Sequence, residues 1–261
     1  MIQQLELKKY LHELLDVDSF KDYCPNGLIV EGSDVLYRGI SGVSFTLELA
    51  KIAVAQKADF ILVHHPHGFW KGQNQTLTGS HKAKIKLLLE NNISLWGYHL
   101  PMDAHPIYGN NACLAKAIGA KPVGGFMKEG TKYIGLKLEL PKAISIQSLL
   151  NVIEQEVGVP NFTFLHGKER VQKIALCTGS APNQVEEVLD WADVYITGEA
   201  RENTQYLIQE NHLHFIAAGH HQTERFGPRA LGNHIAEKFG LHVDFIDLIN
   251  PDRYNFQRKY F

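Results

Sequence analysis

The chain has little that would mark a special compartment or partner. Its 261 residues include three cysteines, Cys24, Cys113 and Cys177, scattered and without close metal spacing. An odd, dispersed set argues against a disulfide framework or a thiolate metal cluster, and fits reduced thiols in the cytoplasm. No apolar run approaches the roughly 20 residues of a membrane span. The opening stretch MIQQLELKKYLHELL carries charges throughout, so it reads as an amphipathic helix over residues 3–15 and not as a signal peptide. Basic excess is also missing. Lys and Arg total 26 against 28 Asp and Glu, a net charge of -2, which speaks against general nucleic-acid binding.

Histidine is plentiful, with 14 in the chain. In DFILVHHPHGFW, residues 59–70, an apolar run ends in His64 and His65 with His67 close behind. Phe60 to Val63 read as an interior strand covered on both faces. The histidines then fall at its carboxyl end, where open α/β sheets bind ligands. Consecutive strand residues point to opposite faces, so convergence of His64 and His65 requires that the strand has already ended. Pro66 fits such a turn.

HFIAAGHHQTERFG, residues 214–227, repeats the arrangement. An apolar strand ends at Gly219, His220 and His221. Glu224 follows His220 by four, so a helix starting here puts both on one face. His221 would point elsewhere, and Gly219 would allow close backbone approach. Between these stretches lies GYHLPMDAHPIYGNN, residues 97–111. Asp103 offers a hard oxygen, His99 a group near the ligands, and His105 reads as a loop hydrogen-bonding residue.

Three strand ends therefore carry His64, His65, Asp103, His220 and Glu224. Five nitrogen and oxygen donors exceed one tetrahedral ion and suit two divalent ions roughly 3.5 to 4 Å apart. Zn, Fe, Mn, Co and Ni all fit these donor types. Two such ions, two carboxylates and a bridging hydroxide leave about +1, which would attract an anionic, nucleotide-like small molecule and suits hydrolysis.

The pattern along the chain predicts an α/β fold. Strands at 39–45, 59–63 and 93–99 alternate with helices ELAKIAVAQKA, capped by Thr46, and HKAKIKLLLENN. Residues 119–130 read as a turn into a second region, and 131–141 as an edge strand. Helices SIQSLLNVIEQEVG, APNQVEEVLDW, ENTQYLIQENH and FGPRALGNHIAEKFG then alternate with strands VQKIALCTG, DVYITGE, HFIAAGHH and HVDFIDL. Three regions are expected. Residues 1–125 carry His64, His65 and Asp103, and 126–212 form a middle region. Residues 213–261 carry His220 and Glu224 and pack back on the first. The turn CTGSAPNQ could cradle a phosphate, but Pro182 lacks a donor. Phe69, Trp70, Phe126 and Tyr206 read as packing residues before base-stacking ones. Lys82, Lys84 and Lys86 read as a solvated helix side. The aromatic, basic stretch Tyr254 to Phe261 suits a subunit contact, local packing or a solvated, fraying tail.

PNGLIVEG, ILVHHP, WGYHLPMDAHPIYGNN, ITGE and AAGHHQTERFG together resemble one family, the GTP cyclohydrolase I type 2-like dinuclear metal-centre proteins. The resemblance covers essentially the whole chain. It implies two interlinked α/β domains, with mainly parallel or mixed sheets and a metal pair at strand ends between them. The implied ligands are His64 and His65 from HHP, Asp103 from HLPMDAHP, and His220 and Glu224 from GHHQTE. A toroidal homohexamer, built as a trimer of dimers, is implied as well. The span from Gly130 to Val171 is too short for the extra domain that some relatives carry. The implied activity is hydrolytic opening of the GTP imidazole ring by metal-hydroxide attack, with His99 and His221 moving protons. The alternatives are a metal-dependent phosphoesterase and a non-enzymatic, metal-binding regulatory or nucleic-acid-binding ring protein.

Overall fold

The computed structural model describes residues 1–72 and 76–248. The stretch Tyr254 to Phe261 lies outside them. The chain divides into two compact units, both α/β. The first comprises Met1–Cys113, Glu129–Lys132 and Arg225–Leu248; the second holds the segments Leu114–Lys128 and Tyr133–Glu224.

In chain order the first unit begins with β1 (Ile2–Gln3), α1 (Gln4–Leu14), β2 (Gly27–Val30) and β3 (Val35–Leu36). It continues with β4 (Arg38–Ser44), α2 (Leu47–Ala55), β5 (Phe60–His65) and α3 (Gly79–Glu90). β6 (Ser94–Gly97), the short α4 (Leu100–Asp103) and α5 (Asn110–Ala117) follow. Thr46 caps α2 as expected, its hydroxyl accepting from Leu49 N at 3.1 Å.

The second unit holds β7 (Lys121–Glu129), β8 (Lys132–Ser145), α6 (Ile146–Glu156), β9 (Phe162–Leu165) and β10 (Arg170–Leu176). β11 (Val194–Thr197), α7 (Thr204–Glu210), β12 (His214–Ala217) and α8 (His220–Thr223) complete it. The chain then re-enters the first unit with α9 (Phe226–Phe239) and β13 (His242–Phe245).

The first unit's main sheet has the order β13-β4-β5-β6-β2. Its first four strands are parallel and β2 runs antiparallel to β6. β5 is central and wholly buried. Phe60 and Leu62 join one apolar cluster with Trp96, Leu231 and Ile235. Ile61 and Val63 join another with Ile40, Leu49 and Leu88. Alternate residues thus face two cores, as the unbroken apolar run requires. Each such side chain contributes roughly 1.5–3 kcal/mol on burial.

The second sheet has the order β7-β8-β10-β11-β12-β9. β10, β11 and β12 are parallel, while β8 and β9 pair antiparallel at either side of them. Three expectations change here. Residues 121–129 are a strand and not a turn, so the edge is β7 and β8 lies inside it. Gly125 of this strand and Gly135 of β8 make room for cross-strand rings. A Cβ at Gly125 would stand 2.5 Å from Tyr133, and one at Gly135 would stand 2.5 Å from Phe126. Pro182–Val188 is a 3-10 helix, not an α-helix. β9, which has no clear alternation, went unread.

Candidate metal centre

In the first unit the site grows from the carboxyl end of β5. The strand has not ended at the histidines, contrary to the sequence argument. His65 still pairs with Ser44 of β4. β5 overshoots β6, however, whose last pairing with it is Val63 with Gly97. Past that point each imidazole is drawn around the strand end by a different neighbour. His64 Nδ1 donates to Tyr98 O at 2.9 Å, and His65 Nδ1 lies 3.3 Å from Ser44 Oγ. The two ring centroids are 4.5 Å apart. Nitrogens of His64, His65 and His99 all lie within 4.8 Å of one another.

Asp103 closes this group. It ends α4, and its Oδ1 is 3.4 Å from His64 Nε2. A carbonyl can only accept, so His64 spends its Nδ1 proton on Tyr98. A neutral His64 then turns a lone pair toward a carboxylate oxygen. Two acceptors facing each other call for a cation, either a proton on the imidazole or a metal ion. Asn110 Nδ2 donates to the same Oδ1 at 2.8 Å and accepts from Gly227 N at 2.6 Å.

His99 is held from behind by Asp22, which sequence reasoning missed. His99 Nδ1 lies 3.0 and 3.1 Å from the two oxygens of Asp22. Burial pushes the Asp22 carboxyl up, but the bond and charge of His99, with bonds from Cys24 N and Asn26, hold it down at about 2. The aromatic rings of Trp70 and Tyr23 stand 5.1 Å from His99. Trp70 is stacked against His67 and tilted against Tyr23. His105 sits apart as a loop residue, its Nδ1 accepting from Ile107 N and Tyr108 N.

The second unit carries the other donors. α8 starts at His220, and the i,i+4 relation holds, with His220 Nε2 3.2 Å from Glu224 Oε2. Gly219 has φ +96°, and a Cβ there would stand 2.2 Å from the Gln222 side chain. His220 Nδ1 lies 2.6 Å from Glu199 Oε1, and Glu199 Oε2 accepts from Ser180 Oγ at 2.6 Å. The Glu224 charge, against burial and aided by bonds to both glutamates, raises His220 to about 11. Without a metal its Nε2 keeps a proton, so a divalent ion has a cation's place to take. His221 is buried in the same helix.

The turn after β10 serves these donors more than an anion. Gly179 N donates to Thr223 Oγ1 and Ala181 N to Thr197 Oγ1, so neither is left to cradle a phosphate. Phe126 is buried, as the packing reading requires. Lys84 corrects the solvated-helix reading. It is buried, and its ammonium donates to Phe45 O and His67 O at 3.1 and 2.8 Å. Missed at the sequence level were Asp22, Asn110 and Glu199. Glu199 lay inside the ITGE motif and Asp22 just before CPNG. Neither shows a partner at fixed spacing, because each meets its histidine only through the fold.

Each unit clusters imidazole nitrogens and carboxylate oxygens at its strand ends, the donor types of a dinuclear, metal-dependent hydrolase. Among the described residues no helix is long and apolar enough to cross a membrane. The GTP cyclohydrolase 1 type 2 homolog of Yersinia pestis is 39% identical over 255 residues, covering 96% of this chain and 100% of the relative. That of Escherichia coli (strain K12) is 38% identical over 252 residues, covering 96% and 100%. The solved structure of protein ybgI has a TM-score of 0.90 at 38% identity, covering 96% of this chain and 100% of that one. Reduced HcgD from Methanocaldococcus jannaschii shares the fold, with a TM-score of 0.82 at 22% identity and 95% and 98% covered. The Duf34/NIF3 (NGG1p interacting factor 3) family profile matches residues 2–251, and the chain belongs to that family.

Proposed function

We propose that His64, His65, Asp103, His220 and Glu224 together hold two divalent ions, and that this centre hydrolyses an anionic, nucleotide-like substrate, GTP first among candidates. One observation carries the reading. Each unit sets an imidazole Nε2 against a carboxylate oxygen, at 3.4 Å for His64 and Asp103 and 3.2 Å for His220 and Glu224. Such pairs are stable only around a cation. Bound divalent ions supply Lewis acidity and lower the pKa of water. The chain's own groups then do the rest. His99 and His221 move protons. Asp22 keeps His99 oriented. Trp70 and Tyr23 limit water around His99, and strengthen electrostatic interactions there. The names of the relatives support GTP as the first substrate to try.

Product identification tests this. Protein loaded with zinc or manganese is given GTP and a panel of phosphoesters, and products are read by mass. Formate released from GTP supports ring opening. Phosphate without formate selects a phosphoesterase. No turnover of any compound would overturn the hydrolase reading and leave a metal-binding regulatory protein. The family resemblance also supports a homohexamer, for which sedimentation equilibrium should give about six times the 29.4 kDa chain mass; a persistent monomer would refute it.

A further inference from the structure

We infer that Asp22 and Glu199 are positioning residues, each fixing the tautomer and aim of one site histidine, so that Nε2 of His220 is offered to a divalent ion and Nε2 of His99 to the proton it moves. The inference rests on the two-ion reading and adds residues outside the five ligands.

The geometry is the same in both units. A carboxylate oxygen stands 3.0 Å from Nδ1 of His99 and another 2.6 Å from Nδ1 of His220. A carboxylate can only accept, so Nδ1 must carry a proton, and Nε2 is left to ligate metal in His220 and to take a proton in His99. Each carboxylate is itself held. Asp22 Oδ1 accepts from Cys24 N at 3.0 Å; Oδ2 accepts from Leu100 N at 3.0 Å and Asn26 Nδ2 at 3.1 Å. Asn26 Oδ1 in turn accepts from His99 N at 2.7 Å. One buried carboxylate thus fixes the ring of His99 and also the start of α4, the helix that ends in Asp103. Its position is crowded with donors, so an amide there would set an NH2 against N–H groups. Glu199 is simpler. Its side chain is about half exposed (48%), and its second oxygen takes the Ser180 hydroxyl at 2.6 Å. Exposure makes Glu199 the cleaner test, since its replacement disturbs little packing.

The experiment measures Co(II) affinity by chelator competition, with the visible Co(II) spectrum and the melting of the metal-free protein recorded beside it. Loss of such a partner typically weakens metal binding on the order of 10–100-fold. Glu199→Ala should fall in that range with a changed spectrum, and so should Asp22→Asn, which loosens the start of α4 and with it Asp103. Glu199→Gln keeps an acceptor oxygen for Nδ1 and should recover part of the loss. A defect of folding alone would not separate Ala from Gln at an exposed position. Should Asp22→Asn fail to fold, the Glu199 series decides. Unchanged affinity and spectrum in Glu199→Ala, or equal loss in Ala and Gln, would overturn the inference. If the wild type itself holds at most one ion at saturation, the two-ion reading fails instead.

Discussion

A Cβ at position 179 would stand 2.2 Å from Glu224 Oε1 and 3.4 Å from His220 Nε2. Gly179 is therefore the space in which two donors meet. Its φ of +70° also disfavours any side chain. Gly179→Ala should displace Glu224 and cost at least one bound ion per chain. Elemental analysis after saturation and dialysis reads this. A variant retaining both ions at wild-type affinity would show that Glu224 has room to move.

The carboxylates themselves give a second prediction. Asp103→Ala and Glu224→Ala should each remove at least one of two ions, while the metal-free fold persists. Inductively coupled plasma measurements on both variants check it. Two ions retained by either variant would remove that residue from the ligand set.

Metal binding should release protons. His220 holds its proton up to about 11 because Glu224 lies beside it. At pH 7 the metal-free histidine is therefore charged, and an ion on Nε2 must displace that proton. Apparent affinity should rise with pH through the neutral range. In the metal-free protein the sign for stability is the opposite. A raised folded pKa stabilises fully below the unfolded value, about 6.5, and the gain is lost as pH rises through about 11. Calorimetry in two buffers of different ionisation enthalpy should show at least one proton released per chain. A buffer-independent enthalpy would contradict this.

Lys84 gives a stability prediction. Burial pushes its amine down from the usual lysine value, yet it remains tied to two carbonyls. Lys84→Met keeps the length and leaves Phe45 O and His67 O without that donor. Leaving a buried polar group unsatisfied costs about 1–3 kcal/mol. Urea unfolding should show a lower midpoint at an unchanged slope. A midpoint equal to wild type would mean that water replaces the amine.

The α/β class and most elements were legible because apolar runs and caps act locally. β5 declared itself by four apolar residues, and α2 by Thr46. His64, His65, Asp103, His220 and Glu224 stood out by clustering at strand ends. The remainder depended on distance in the chain. Asp22 lies 77 residues from His99, and Glu199 lies 21 from His220. β7 was hidden because its glycines signal turns, whereas here Gly125 accommodates the Tyr133 ring. Lys84 was hidden because neighbouring Lys86 does what a helix-surface lysine does, lying 3.5 Å from Glu90.

The amide of Asn110 has a temporal consequence. It grips Asp103 through Nδ2 and the backbone of Gly227 through Oδ1, at 2.8 and 2.6 Å. Gly227 is made 124 residues after Asp103, counting from 103 to 227. While the ribosome is still short of α8, Asn110 lacks its anchor at Gly227, and His220 and Glu224 do not yet exist. A half-made chain therefore offers scavenging ions only a partial, poorly aimed set of ligands. On the proposed ligand set, metal capture is deferred to the finished polypeptide.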